Sequence, residues 1–306
     1  MNNVNMRVAM VRMSDNFVPF VEVYYLDKNA QEHAGMMLLD SGSDQNLLAY
    51  EMLERLGKLQ NTDSEVSNIL TASGSVVKAY STKISFAMGG RQFQEDFCIC
   101  DTFHEDSFGS LPFIGILGNV FMQKNNLAID YSDGSLHTSN VSPSNLSVSD
   151  CEFFSSMLFG LKYYGLPIAA FMQNGKEVLA LVDTGATNNV LVKQTLIDNG
   201  FRHKILGETD TIKGLSGGVE VEDAVVGFNL LNMRTEELEE NYHQDLFKLY
   251  PQVIIQGKTV NVEGEEKQIP SVEALLGSSF IASQGWTLDF GAKIIYKRKK
   301  ALKEVV

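Results

Sequence analysis

At 306 residues, 44% hydrophobic and 21% charged, the chain has an ordinary globular composition, and its length suits two domains of roughly 150 residues each. A net charge of −13 at pH 7 argues against a nucleic-acid partner, because phosphate recognition needs a basic face. No apolar run reaches membrane-spanning length, and Met1 to Ser14 lacks the continuous apolar core of a signal peptide, so no membrane partner and a cytoplasmic location are expected.

In chain order, Val8 to Met13 and Val18 to Tyr25 read as strands. The Asp27-Lys28-Asn29 turn leads into a further strand that ends in Met36-Met-Leu-Leu-Asp-Ser-Gly-Ser-Asp-Gln-Asn-Leu-Leu48. Asn46 to Leu56 has helical spacing, with Leu47, Leu48, Met52, Leu53 and Leu56 on one side. Ile69 to Ala79 reads as a hairpin around Ala72-Ser73-Gly74-Ser75, and Thr82 to Ile99 as another through Gly89-Gly90. Cys98-Ile-Cys100 puts two thiols on one strand face. Together with Cys151 they are too few and too scattered for a disulfide framework, so a buried free-thiol pair is expected. A loop over Asp101 to Pro112 precedes Ile114-Gly-Ile-Leu-Gly-Asn-Val-Phe-Met122, a strand at Leu127 to Tyr131 and a Ser-Asp-Gly turn.

Residues 139–149, rich in Ser and Asn with no apolar period, read as a linker, which divides the chain into domains 1–147 and 148–306. The second half repeats the first. Leu166 to Met172 is a strand, Asn174-Gly175 a tight turn, and Val178-Leu-Ala-Leu-Val182 a doubly buried strand ending in Asp183-Thr184-Gly185. Val190 to Ile197 reads as a helix, Gly214 to Gly218 as a glycine-rich turn, and Thr235 to Leu249 as an acidic helix. Leu275 to Ile281 and Trp286 to Phe290 close the unit. A carboxylate at the mouth of a buried strand needs a partner or a raised pKa. Asp40 and Asp183 are each other's counterparts.

The spacing supports a duplication. Gly74 follows Asp40 at the same distance along the chain as Gly217 follows Asp183, and Asp130 follows Gly118 as Asp289 follows Gly277. The middle stretch differs: Gly277 lies further from Asp183 than Gly118 does from Asp40. The excess is assigned to an insertion at about 234–268.

Two Asp-Ser/Thr-Gly motifs, each followed in register by an apolar-apolar-Gly segment (116–118 and 275–277), resemble the aspartic proteases of the pepsin and retropepsin type. The resemblance runs from about Val18 to Tyr296. It implies a mainly β, bilobal acid-protease fold, with two homologous barrel-like lobes, short helices and a cleft between them. It implies an aspartic endopeptidase with Asp40 and Asp183 as the catalytic dyad across a pseudo-twofold axis, monomeric because both halves share one chain, acting on an extended peptide or protein, and needing no cofactor or metal. Two carboxylates about 3 Å apart share one proton and so supply both acid and base; that coupling is a standard example drawn from this family. Gly42 and Gly185 would let backbone amides approach the carboxylates, and Ser41 and Thr184 would hold the loops by hydrogen bonds across the axis. The turns at Ser73-Gly74-Ser75 and Ser216-Gly217-Gly218 stand where the family carries its flap; an ordinary hairpin turn is the alternative for each.

The two motifs differ. A hydroxyl at Ser43 is expected to bond ionised Asp40, which Ala186 cannot do for Asp183, and the mixture points to an optimum less acidic than that of secreted pepsins. Asp44 either faces the dyad and raises its pKa or opens the following helix and favours its dipole; the second is expected. Asp130 and Asp289 read as turn caps. His33, His104, His137, His203 and His243 lack metal-ligand spacing, no Ser or Cys has a clear His partner, and the basic Lys297-Arg-Lys-Lys300 reads as a solvated end. The alternatives to a peptidase are a non-catalytic peptide- or protein-binding module on the same fold, or a dyad formed between two chains.

Overall fold

The computed structural model describes residues 6–12, 17–58, 66–70, 76–108, 111–139, 151–156, 166–214, 217–232, 237–262 and 265–299. The first half contains β1 (Arg7–Ala9), β2 (Val11–Arg12), β3 (Pro19–Leu26), β4 (Glu32–Asp40), β5 (Leu47–Leu48), α1 (Met52–Arg55), β6 (Val66–Leu70), β7 (Val76–Met88), β8 (Arg91–Ile99), β9 (Phe113–Gly118), α2 (Asn119–Lys124), β10 (Leu127–Asp130) and β11 (Ser135–Thr138). The second contains β12 (Cys151–Ser156), β13 (Ile168–Gln173), β14 (Lys176–Asp183), β15 (Asn189–Val192), α3 (Lys193–Asp198), β16 (His203–Gly214), β17 (Gly217–Asn232), β18 (Glu237–Tyr250), β19 (Lys258–Val262), β20 (Glu265–Ile269), β21 (Ala274–Gly277), α4 (Ser278–Gln284), β22 (Thr287–Asp289) and β23 (Ile294–Arg298).

The protein is mainly β and two-lobed, each lobe a closed six-stranded barrel. In the first, the order β3-β4-β9-β5-β8-β7 returns to β3 through Tyr24↔Ala87 and Tyr25↔Phe86. In the second, β13-β14-β21-β15-β18-β17 returns to β13 through Ala170↔Leu231 and Phe171↔Leu230. Closure leaves few free strand edges. The same pairings recur in both barrels: β4 runs parallel to β9 and β14 parallel to β21, with Asp40 opposite Gly118 and Asp183 opposite Gly277.

A third sheet joins the halves in the order β1-β11-β10-β22-β23-β12, three strands from each side of the chain, hinged on Ile129↔Leu288. Its apolar face belongs to one core that continues into both barrels. Leu127, Ile129, Phe121, Phe280, Trp286 and Leu288 are fully buried there, with Phe280 edge-on to Trp286 at 5.4 Å. The lobes therefore share a hydrophobic interior. Of the expected linker at 139–149, Ser139 is described and residues 140–149 lie outside the described residues.

Three helix expectations are corrected. Residues 46–56 form the short strand β5 and then a helix of only four residues, because Leu47 and Leu48 are needed on opposite faces to bridge β9 and β8. Residues 190–197 divide in the same way, β15 first and α3 only from Lys193. Residues 235–249 are strand β18, not a helix. Leu238, Tyr242 and Leu246 recur at an even spacing that one strand face shares with one helix face. Closure decides the case, since without β18 the barrel would stand open between β15 and β17. The excess length of the second lobe also falls in two places. Cys98 and Lys248 occupy the same register position, opposite Leu47 and Val190. Lys248 lies further along the chain from Asp183 than Cys98 does from Asp40, but by less than the whole excess. Part of it therefore lengthens the β17–β18 hairpin and part builds the β19–β20 hairpin.

No helix among the described residues is long and apolar enough to cross a membrane.

Candidate active site between the lobes

Asp40 and Asp183 are the last residues of β4 and β14, delivered to the lobe interface by strands whose preceding residues are buried on both faces. Both side chains are half-buried, and a hydrogen bond joins the two carboxyls. Such a bond requires a shared proton. Within each loop the geometry is the same. Asp40 Oδ1 accepts the Gly42 and Ser43 amides at 2.9 and 3.1 Å, and Asp183 Oδ1 accepts those of Gly185 and Ala186 at 2.8 and 3.1 Å.

The glycines matter because each faces the opposite carboxyl. A Cβ on Gly42 would fall 2.5 Å from Asp183 Cγ, and one on Gly185 2.5 Å from Asp40 Cγ. No larger residue fits without parting the pair.

Beneath the carboxyls, Ser41 and Thr184 are completely buried and exchange four hydrogen bonds across the interface. The Ser41 amide donates to Thr184 Oγ1 at 3.0 Å and the Thr184 amide to Ser41 Oγ at 2.9 Å. Ser41 Oγ donates to the Val182 carbonyl and Thr184 Oγ1 to the Leu39 carbonyl, both at 2.6 Å. Each hydroxyl thus accepts from and donates to the backbone of the same opposing segment, which fixes the separation of the two aspartates.

Burial is the first cause that raises the pKa of both aspartates. For Asp40, pushed well above the ordinary carboxylate range, the Asp183 charge and hydrogen bond add to it. For Asp183 the hydrogen bond with Asp40 and the amides of Gly185, Ala186 and Gly42 pull partly back. The pair titrates as a unit, and the single proton belongs to both carboxyls.

The structure also shows a pair of supports that the sequence reading passed over. Asn46 Oδ1 accepts the Gly118 amide at 2.9 Å while its Nδ2 donates to the Asp96 carbonyl at 3.1 Å. Asn189 does the same for the Gly277 amide at 3.0 Å and the Leu246 carbonyl at 3.2 Å. Both asparagines stand at the same offset after their aspartate, a match visible in the sequence. Gly118 and Gly277 pack against the loops so tightly that a Cβ would meet the Gln45 and Asn188 carbonyl oxygens at 2.3 and 2.6 Å. Replacing Asn46 by Leu leaves the buried Gly118 amide without a partner and is expected to cost about 1–3 kcal/mol, read as a lower urea midpoint.

Two expectations for this site are corrected. The Ser43 hydroxyl donates to the Gln45 carbonyl at 2.7 Å and not to Asp40, so Ser43 and Ala186 serve their aspartates identically, through the backbone. Asp44 opens no helix, because the chain continues through bends into β5. Asp44 is half-buried, and desolvation lifts its pKa.

Asp130 caps its turn through Ser132, as expected. Asp289 caps through the Ala292 amide and also accepts from Ser139 Oγ at 2.8 Å, across the halves. The three cysteines are free thiols; Cys98 and Cys100 lie against one apolar cluster. Of the flap candidates, Gly217 and Gly218 begin β17 opposite Gly214 and Lys213. Ser216 and Ser73-Gly74-Ser75 lie outside the described residues, though the flanking strands β6 and β7 pair from Leu70↔Val76 onward.

A search of protein-family models finds none that matches the chain, and the characterised proteins compared with it give no match.

Proposed function

We propose that this protein is an aspartic endopeptidase of the acid-protease fold, acting as a single chain on extended peptide segments. The observation that carries the reading is the hydrogen-bonded pair Asp40–Asp183, held by matching loops from two equivalent barrels. One carboxylate takes a proton from a water as the water oxygen bonds to the peptide carbonyl carbon. The other gives its proton to the carbonyl oxygen. Collapse of the tetrahedral species then breaks the C–N bond as the nitrogen is protonated, and the pair regains its single proton. Apolar clusters flank the dyad on each side: Leu38, Leu47 and Ile116 in one lobe, Leu181, Val190 and Leu275 in the other. They favour apolar side chains beside the scissile bond.

The test is cleavage of a diverse peptide mixture between pH 3 and 8, read by mass spectrometry beside Asp40→Asn and Asp183→Asn. Cuts present with the parent and missing from both variants support the reading. Equal cutting by all three removes the mechanism, and a folded parent that cuts nothing turns the assignment towards a peptide-binding module.

A further inference from the structure

The two lobes differ in one column of side chains that crosses three strands. In the second lobe Lys248 on β18 is buried. Its Nζ lies 2.8 and 3.0 Å from the two carboxylate oxygens of buried Asp223 on β17 and 3.0 Å from Asp210 Oδ2 on β16. The ammonium therefore ties β16 to the barrel across the intervening strand.

The register identifies the same three positions in the first lobe. Lys248 corresponds to Cys98, since Val190 and Leu47 face them in parallel pairing. Asp223, opposite Lys248, corresponds to Ser81, opposite Cys98. Asp210 is opposite Val221, two residues before Asp223, as Ser67 is opposite Ala79, two residues before Ser81. Val221 and Ala79 are both buried in the equivalent apolar clusters, which supports the match. The column is Asp-Asp-Lys in one lobe and Ser-Ser-Cys in the other. Cys98 donates to Gln45 Oε1 at 2.7 Å, within the loop that follows Asp40.

The tie acts on an element that needs one. β16 is the edge strand of its sheet, its register with β17 breaks between Ile205 and Thr209, and residues 202–211 are all exposed. Its hairpin with β17 covers the apolar cluster that reaches the dyad loop: Ile212 and Val219 pack there with Ala186, Val190 and Leu275. The Lys248 contact pulls Asp210 below the ordinary carboxylate range, in keeping with a formed ion pair.

We propose that Lys248 is a positioning residue that holds the β16–β17 hairpin as a fixed wall of the cleft in the second lobe, a role the first lobe does not reproduce. The inference rests on the peptidase reading for its consequence in catalysis, but the tie itself is measurable without turnover.

The experiment is hydrogen–deuterium exchange, resolved by peptide, on the full-length parent, Asp210→Asn and Asp210→Glu, with kinetics on a peptide the parent cleaves. Asp210→Asn keeps the buried Lys248–Asp223 pair and so keeps the fold. It is expected to speed exchange in β16 about two- to fivefold, leave β4 and β14 unchanged, and raise KM by a similar factor at constant kcat. Asp210→Glu is expected to restore both. Unchanged exchange in β16 overturns the proposal whatever the protein cleaves, and faster exchange with KM unmoved overturns the positioning role. A parent that cleaves nothing instead removes the peptidase reading, and with it the catalytic consequence.

Discussion

Asp40→Asn and Asp183→Asn are each expected to lower peptide cleavage by about 10²–10⁴-fold, the usual range for loss of a positioned acid or base. Neither residue can replace the other, because turnover needs one ionised and one protonated carboxyl at the same moment. The pH profile follows from the site. Both carboxyls are pushed above the ordinary value of 3.8, Asp40 well above it, so the alkaline limb of the cleavage profile is expected on the neutral side of the common carboxylate range. Neither Ser43 nor Ala186 offers a side-chain hydrogen bond to oppose that shift.

The same variants separate chemistry from folding. A carboxyl whose folded pKa is raised binds its proton more tightly in the native state. Its favourable contribution is complete below the unfolded value near 3.8 and is lost as pH rises through the raised folded value. Asp40→Asn removes the ionisable group and with it that loss. The variant is expected to melt no lower than the parent at pH 7 while its cleavage falls by that factor, as calorimetry beside the cleavage assay would show. Inactivity accompanied by a lower melting temperature would point to a damaged interface and count against the acid–base role.

The legible part of the site was the part written twice. Asp40 and Asp183, and Gly118 and Gly277, stand in register along the chain, and the structure brings each aspartate opposite its own glycine. The misread parts share another cause. In β18 and β5 local spacing suits either a helix or a strand, and the choice belongs to partners far away in sequence, β17 and β15 for one, β8 and β9 for the other. Ser43 failed for a similar reason, since the sequence shows a hydroxyl near an aspartate but not the nearer Gln45 carbonyl that takes it. Asn46 and Asn189 were readable by the repeat and were missed because amides attract less notice than carboxylates. Lys248 was not readable at all. One lysine among many acquires its role only when β16, β17 and β18 lie side by side.

Thr184→Val is expected to damage both stability and cleavage strongly. Valine keeps the β-branching and nearly the size of threonine, so the change at this fully buried position is chiefly the loss of the hydroxyl. That hydroxyl accepts the Ser41 amide at 3.0 Å and donates to the Leu39 carbonyl at 2.6 Å, and both partners are then buried without a replacement. Two stranded backbone groups cost about 2–6 kcal/mol together, a large share of the roughly 5–15 kcal/mol that holds a typical domain folded. The loss falls on the contact that sets the spacing of the two aspartates, so cleavage should drop further than the fraction unfolded accounts for. Ser41→Ala strands a similar pair, the Thr184 amide and the freed Val182 carbonyl, and is expected to match it within about 1 kcal/mol if the interface is as symmetric as its four bonds. Urea unfolding of both variants, with cleavage measured on the folded fraction, checks the two claims together. Full stability in Thr184→Val would mean that water reaches the cross-lobe bonds and that the spacing of the aspartates is set elsewhere.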